Sequence, residues 1–305
     1  MKDRVPRIDE ESSYHDRRSS IAAFVIIILL AIAAFFFEPD YMGHVPIRVG
    51  VSAFDSSCCS AVLDEFAFLI RERDGGNVSW HYFSADSRPE GCDFYLLTSL
   101  QYKAFSTGGG MELSLLATRQ GENSYSRGVV LVRKDSTVDE LKTGKYIFPF
   151  PGAASGYFSA AVILLEEGLL DGVLCDRVFF TGCRLCDEEV IYGVIFGEYV
   201  GGGLSLDSYR NLLAVGKGGE GVLDVRYTGR QAIDIVLATG DGVDQWKKKG
   251  FLSRLPVITA RVDGLLARDL HRIGIGGFVE FPEHAPAIPG DFPDSLLSEI
   301  IYYLP

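Results

Sequence analysis

Gly128-Val-Val-Leu-Val-Arg-Lys-Asp-Ser136, Lys145-Tyr-Ile-Phe-Pro-Phe150 and Pro151-Gly-Ala-Ala-Ser-Gly-Tyr157, followed by an apolar run from Phe158 to Leu170, are the stretch on which the fold turns. The first two segments read as strands and the last as a helix, so a small-residue turn joins a strand to a helix. The opening turn of a helix leaves backbone N–H groups without intrahelical partners, and they point outward as a ready anion site. If the turn at Pro151–Tyr157 holds a ligand, the chain is a receptor for a small solute. If it is an ordinary tight turn, that inference disappears.

Working outward, the same strand–helix–strand logic recurs on both sides. Ile47–Val51 reads as a strand, Ser60–Glu72 carries apolar residues at helical spacing, and Val78–Phe83 alternates as a strand. Cys92–Leu97, Met111–Thr118 and Gly128–Arg133 supply three more strands. Beyond the turn, Arg177–Phe180 and the region Val200–Leu206 read as strands, and Glu188–Phe196 as a helix. This alternation predicts an α/β architecture with largely parallel strands in two lobes. The predicted division is residues 46–133 plus about 253–305 for lobe 1 and 134–252 for lobe 2. Residues 211–250 resist placement, and Gly216-Lys-Gly-Gly-Glu-Gly221 lacks the Lys-Ser/Thr ending of a P-loop, so it reads as a surface loop.

The N-terminus carries a separate signal. Residues 1–20 are polar, and Ile21–Phe37 is an unbroken apolar run of 17 residues. At about 1.5 Å per residue such a helix spans roughly 25 Å, enough for a thin bilayer. Arg17 and Arg18 precede it, and Glu38 and Asp40 follow. The Lys/Arg bias predicts a cytoplasmic N-terminus, a single-pass inner-membrane helix, a linker at 38–45 and an exported main domain. A cleaved signal peptide is the alternative, although no clear cleavage site follows the run.

Six cysteines, Cys58, Cys59, Cys92, Cys175, Cys183 and Cys186, then fall on the exported side, where disulfides persist. Their grouping suggests bridges inside each half, with buried free thiols as the second reading and metal binding a distant third. Cys183-Arg-Leu-Cys186 is followed by Asp187, so it is not a haem-attachment motif, and no cofactor is indicated.

The formal charge of -12 argues against nucleic acid, which demands a basic face. His81, His271 and His284 are scattered, and neither a Gly-x-Ser-x-Gly nor a His-Glu-x-x-His is present. No enzymatic activity is predicted.

Gly128–Ser136, Pro151–Tyr157, Phe180-Thr-Gly182 and Gly197-Glu-Tyr-Val-Gly-Gly202 together resemble, in order and spacing, the phosphonate-type periplasmic solute-binding proteins. These are the receptor subunits of phosphate, phosphite and phosphonate ABC importers. The resemblance covers roughly residues 46–210 and implies a type II periplasmic-binding-protein fold, with two α/β lobes, two crossover strands and a ligand cleft. It implies cleft roles for Tyr125 and for Ser155, Gly156 and Tyr157, which match the end of the family's Ser-Thr-Ser-Gly-Tyr/Phe anion loop.

The departures are equally specific. Ala153 and Ala154 stand where that loop carries its first two hydroxyls, and Leu100 stands where another loop carries a serine. Arg184 aligns with a family histidine, and Ser205 aligns with an acid, with Asp207 nearby. Two functions follow. One is an anchored, solute-binding-like domain with lost or altered phosphonate binding, acting as an accessory subunit of a membrane complex. The other is a receptor for a small anion (phosphate, phosphite, phosphonate or carboxylate) that feeds a permease.

Overall fold

The computed structural model describes residues 46–52, 56–74, 76–83, 90–106, 109–118, 124–181, 186–280, 289–290 and 292–303. The apolar run at 21–37 and its flanks lie outside these residues. None of the described helices is long and apolar enough to cross a membrane.

Among the described residues, eleven strands form two sheets. The first contains β1 (Ile47–Val51), β2 (Val78–Tyr82), β3 (Phe94–Thr98), β4 (Met111–Thr118), β10 (Ile235–Gly240) and β11 (Gly277–Glu280) in the order β11-β4-β10-β3-β1-β2. The second contains β5 (Tyr125–Arg133), β6 (Tyr146–Phe148), β7 (Val178–Phe180), β8 (Gly201–Ser205) and β9 (Leu223–Ile233) in the order β7-β6-β8-β5-β9. The two-lobed α/β expectation therefore holds, but the expectation of largely parallel strands fails. β1–β2, β1–β3, β6–β7 and β6–β8 are parallel. Every pairing of β4, β5, β9, β10 and β11 is antiparallel. Strands in which the chain passes from one sheet to the other enter without a βαβ crossover, so nothing forces them parallel.

The chain changes sheet between β4 and β5 and returns between β9 and β10, where Asp234 is the single intervening residue. The sheets thus divide at Tyr125 and Ile235, rather than at 133/134 and 252/253. The second division shifts because Ile235-Val-Leu-Ala-Thr-Gly240 is wholly buried and pairs with β3 and β4 of the first sheet.

Side-chain alternation gives the first sheet two apolar faces. One face, including Val49, Leu96, Leu115 and Leu237, is covered by α1 (Ser56–Asp74), α7 (Gln245–Thr259) and α8 (Gly264–Arg272). The other face, including Tyr95, Leu97 and Val236, meets Phe105 of α2 (Ser99–Ser106). The second sheet is built around short side chains. Gly128 of β5, Gly203 of β8 and Gly229 of β9 let the segment 154–160 lie directly on the strands. A Cβ on Gly128 would stand 2.5 Å from the Ser155 carbonyl oxygen, and one on Gly229 would stand 2.4 Å from that of Ser159.

The remaining helices of the second lobe are α3 (Val138–Thr143), α4 (Ala160–Glu166), α5 (Asp187–Ile195) and α6 (Leu206–Ala214). The C-terminal α9 (Asp294–Tyr303) was expected with lobe 1. Instead Leu297 and Ile300, with the preceding Phe292, join the second lobe's cluster, and the Phe292 ring lies 4.8 Å from that of Phe158.

The expected disulfides fail where they can be tested. Cys92 and Cys175 are free thiols. Cys59 is buried on the α1 face of the first sheet, Cys92 packs on the opposite face, and Cys175 packs in the other lobe. A sheet or a lobe boundary thus separates each pair, which no 4.4–6.8 Å Cα span can cross. Burial pushes the Cys92 thiol above its usual range. Cys183 and the Cys58 side chain lie outside the described residues, and Cys186 stands at the N-cap of α5.

Candidate functional site

The turn at Pro151–Tyr157 leaves β6 and enters a π-helical turn, Ala154–Ser159, that runs into α4. The Ala153 carbonyl accepts from both Tyr157 N–H and Phe158 N–H, each at 3.0 Å, which gives the wide turn its character. Such π-turns recur at functional sites. Ser159 pins this one to the sheet: its hydroxyl donates to the Arg230 carbonyl at 2.6 Å and accepts from Gly128 N–H at 3.1 Å.

The donors expected to face an anion are engaged inside the protein. Ser155 is fully buried. Its N–H donates to Asp234 Oδ1 at 2.8 Å, and its hydroxyl donates to Asp234 Oδ2 at 2.5 Å. Asp234 is the residue between β9 and β10, so the carboxylate that grips the loop stands on the strand returning to the first sheet. The Asp234 carbonyl in turn accepts from Ser99 N–H at 2.9 Å, and the Ser99 hydroxyl donates to the Ile233 carbonyl. The buried acidic and basic residues among those described are Asp234 and Lys247. Lys247 is bound to Asp93 at 2.7 Å, elsewhere in the first lobe.

The facing loop of the first lobe is closed in the same way. Thr98 N–H donates to Gln101 Oε1 at 3.0 Å, and Gln101 N–H donates to Thr98 Oγ1 at 3.1 Å. The Gln101 amide then donates to Ser52 Oγ at 2.9 Å. Between the lobes, Leu100 is fully buried and belongs to the same apolar cluster as Ala153, Ala154 and Phe158. Ser155, Asp234, Ser99, Thr98 and Gln101 bond within the protein, whereas the buried Ser126 hydroxyl on β5 has no partner among the described residues, and apolar atoms occupy positions where the resemblance implies hydroxyls.

The other expected site residues divide. Tyr157 is buried, its hydroxyl donates to the Val173 carbonyl, and its ring stands edge-on to Phe148 and Phe180 at 5.1 and 4.8 Å. Burial drives its phenol far above the usual range, so it stays neutral. It is built into the lobe core. Ser205 is the N-cap of α6: its hydroxyl accepts from Ser208 N–H at 3.1 Å. Gly156 lies against the start of that helix, since a Cβ there would be 3.4 Å from Ser205 N. Tyr125 opens β5, pairs with Ile233 and packs half-buried against the inner cluster of the first lobe. Burial raises its phenol pKa. Arg184 lies outside the described residues.

The structure thus brings Ser155, Gly156 and Ser205 together and adds Asp234, which sequence reasoning missed. Asp234 is 79 residues from Ser155 in the chain. Its one visible sign was a lone acid in the apolar run Ala232-Ile-Asp-Ile-Val-Leu237. Among the described residues, no group of three or more His, Cys, Asp or Glu is placed to hold a metal.

Comparison with known proteins identifies the family and the fold. The family described as "ABC transporter, phosphonate, periplasmic substrate-binding protein" matches residues 87–245. Among solved structures, the chain is similar to XAC2383 from Xanthomonas citri bound to chloride ion (16% identity, 85% of this chain and 97% of that one, TM-score 0.60). It is also similar to PhnD1 from Prochlorococcus marinus in complex with methylphosphonate (14% identity, 78% and 93%, TM-score 0.57). A third is the binding protein component PA3383 of a phosphonate ABC transporter from Pseudomonas aeruginosa (12% identity, 77% and 81%, TM-score 0.56). At these identities the likeness speaks for the fold. No curated protein matches the sequence at a significant level.

Proposed function

The chain belongs to the periplasmic substrate-binding protein family of phosphonate ABC transporters, and from that premise we propose that it is a member whose phosphonate site has been closed. It acts as a membrane-anchored, extracytoplasmic accessory subunit of a membrane protein complex. The family is one of solute-binding proteins rather than enzymes.

The observation that carries this reading is the Asp234 carboxylate seated on Ser155 N–H and Oγ. Alanine at 153 and 154 removes two hydroxyl donors, and each hydrogen bond to a charged group is worth about 1.5–3 kcal/mol. Two lost bonds alone weaken affinity by about two to four orders of magnitude. The third donor already serves an internal anion. The anchor rests on the apolar run at 21–37 with its upstream arginines.

The test uses the full chain in detergent. Its melting temperature is measured against millimolar phosphate, phosphite, methylphosphonate and simple carboxylates. No shift is expected with any of them, and a shift of several degrees with one anion would establish the receptor function instead. Gentle detergent extraction from the native membrane should find the chain migrating with a large assembly. Recovery as a monomer alone would sink the accessory role.

A further inference from the structure

A two-lobe protein that closes on a ligand rotates about the few residues where its chain passes between lobes, because those residues absorb the change in φ and ψ. Here the passage from β9 to β10 is a single residue, Asp234. It and Ile233 before it are bonded in three directions. Ser99 of the first lobe donates its N–H to the Asp234 carbonyl and its hydroxyl to the Ile233 carbonyl. Ser155 of the second lobe holds the Asp234 carboxylate. Ile233 N–H donates to the Pro289 carbonyl at 2.7 Å.

Pro289 belongs to a further crossing between the lobes. After β11 of the first sheet, the chain comes to lie along β9, the edge of the second, where Gly290 bridges antiparallel to Ala232. The approach is close: a Cβ on Gly290 would stand 2.4 Å from the Gln231 carbonyl oxygen. Beyond it, Phe292, Leu297 and Ile300 enter the cluster that holds Phe158 and Leu164 of the second lobe and Leu100 of the first. The C-terminal α9 also touches α2, whose first turn carries Leu100. One apolar cluster thus spans the boundary, filled from both lobes and from the C-terminal segment.

We propose that this C-terminal segment is a strap that fastens the two lobes into one rigid body, so that the opening and closing motion is lost. This goes beyond a closed anion site, since a site can lose its donors while its lobes still swing. Rotation about 233–234 would turn the peptide groups that Ser99, Ser155 and Pro289 hold. It would also draw the fully buried Leu100 away from Ala153, Ala154 and Phe158. Domains of one chain move against each other unless their interface is extensive and hydrophobic, and this junction is packed with Leu, Ala and Phe.

Leu265 on α8 of the first lobe and Val215 at the end of α6 in the second are 68% and 66% exposed, which makes them sites for labels. Each is replaced, in the full chain in detergent, by a ketone-bearing amino acid coupled to a nitroxide, which leaves the cysteines untouched. The distance between the labels, read by pulsed electron paramagnetic resonance, should be single and narrow. Millimolar phosphate or methylphosphonate should not move it, because a ligand shifts only a population that already exists or that it can remodel. Two distances, a broad spread, or a distance that either anion shifts would overturn the proposal. Leu100→Ala and Phe292→Ala, made separately, should each broaden the distribution at an unchanged far-UV circular dichroism spectrum. Gly290→Ala, which lifts the strap from β9 without emptying the cluster, should do the same and serves if either truncation fails to fold. Folded variants as narrow as the wild type would show that the strap is not what holds the lobes. A melting-temperature shift with an anion at an unchanged narrow distance would sink the closed-site reading and leave the rigid junction standing. Mobile lobes without any response to anions would do the reverse.

Discussion

The two sheets hold their helices by different means. In the first lobe side chains do the work: Leu63, Phe66 and Ile70 of α1 meet Val49 and Leu96, and the Phe94 and Phe251 rings stand 4.5 Å apart. In the second lobe the strands withdraw their side chains: the backbone of 154–160 rests on Gly128 and Gly229, and Gly203 admits the Phe148 ring and the Ala160 methyl. A side-chain interface yields by repacking and loses stability in graded amounts. A backbone-on-backbone contact has no rotamer to move. The loop at 151–157 is thus clamped from below by glycines and from above by Asp234.

The largest effect should come from adding bulk beneath the loop. Gly128→Val places its Cβ 2.5 Å from Ser155 O and 2.6 Å from Ala160 N, backbone atoms of the π-turn and of α4. We expect a loss of at least about 3 kcal/mol in urea unfolding. Gly76→Ala in the first lobe meets only Ile70 Cγ2, at 3.6 Å, and should stay within about 0.5 kcal/mol. Equal costs at the two sites would break the contrast between the sheets.

The next effect tests the clamp from above. Asp234→Ala strands two buried donors of Ser155, at a cost of about 2–3 kcal/mol. Ser155→Ala removes the hydroxyl but keeps its N–H on the carboxylate, so it should cost less. Because the two side chains share one interaction, the double variant should cost less than the sum by about 1 kcal/mol or more. Strict additivity would mean that the pair is incidental to the lobe junction.

These contacts also mark how far the sequence was legible. Ile47–Val51 and Met111–Thr118 have the bounds expected from their apolar runs, because a strand buried in a sheet advertises itself. Leu223–Ile233 escaped notice: it is an edge strand, and Asp224, Arg226 and Arg230 alternate along it around Gly229. Ile235–Gly240 is buried throughout and apolar but for Thr239, which leaves no period to read. At the site, the missing hydroxyls of Ala153 and Ala154 were plain in the sequence. The hold of the Asp234 carboxylate on Ser155 was not, because tertiary contacts across 79 residues leave no local pattern. The same holds for Leu100, whose entry into the second lobe's cluster depends on how the lobes meet.

The smallest effect compares two versions of one local device. Each lobe starts a short helix with a reciprocal capping pair, Thr98 with Gln101 and Thr137 with Glu140. The first pair is buried and uses a neutral amide, as burial of a charge requires. The second is exposed and uses a carboxylate, which accepts from Thr137 N–H at 2.8 Å and from Thr137 Oγ1 at 3.0 Å. Those two bonds hold the Glu140 pKa below its ordinary value, the backbone bond contributing most. A lowered carboxylate pKa means that its stabilisation is present above the unfolded value, about 4.3, and is lost as pH falls through the folded value. Thr137→Ala should therefore cost about 1 kcal/mol at neutral pH, with the deficit shrinking as Glu140 becomes protonated in acid. Thr98→Ala should show no such dependence, since neither member of its pair titrates. Urea midpoints measured from pH 7 down into the acid range would separate the two. A pH-independent deficit for Thr137→Ala would show that the hydroxyl cap acts alone and that the Glu140 carboxylate adds nothing to it.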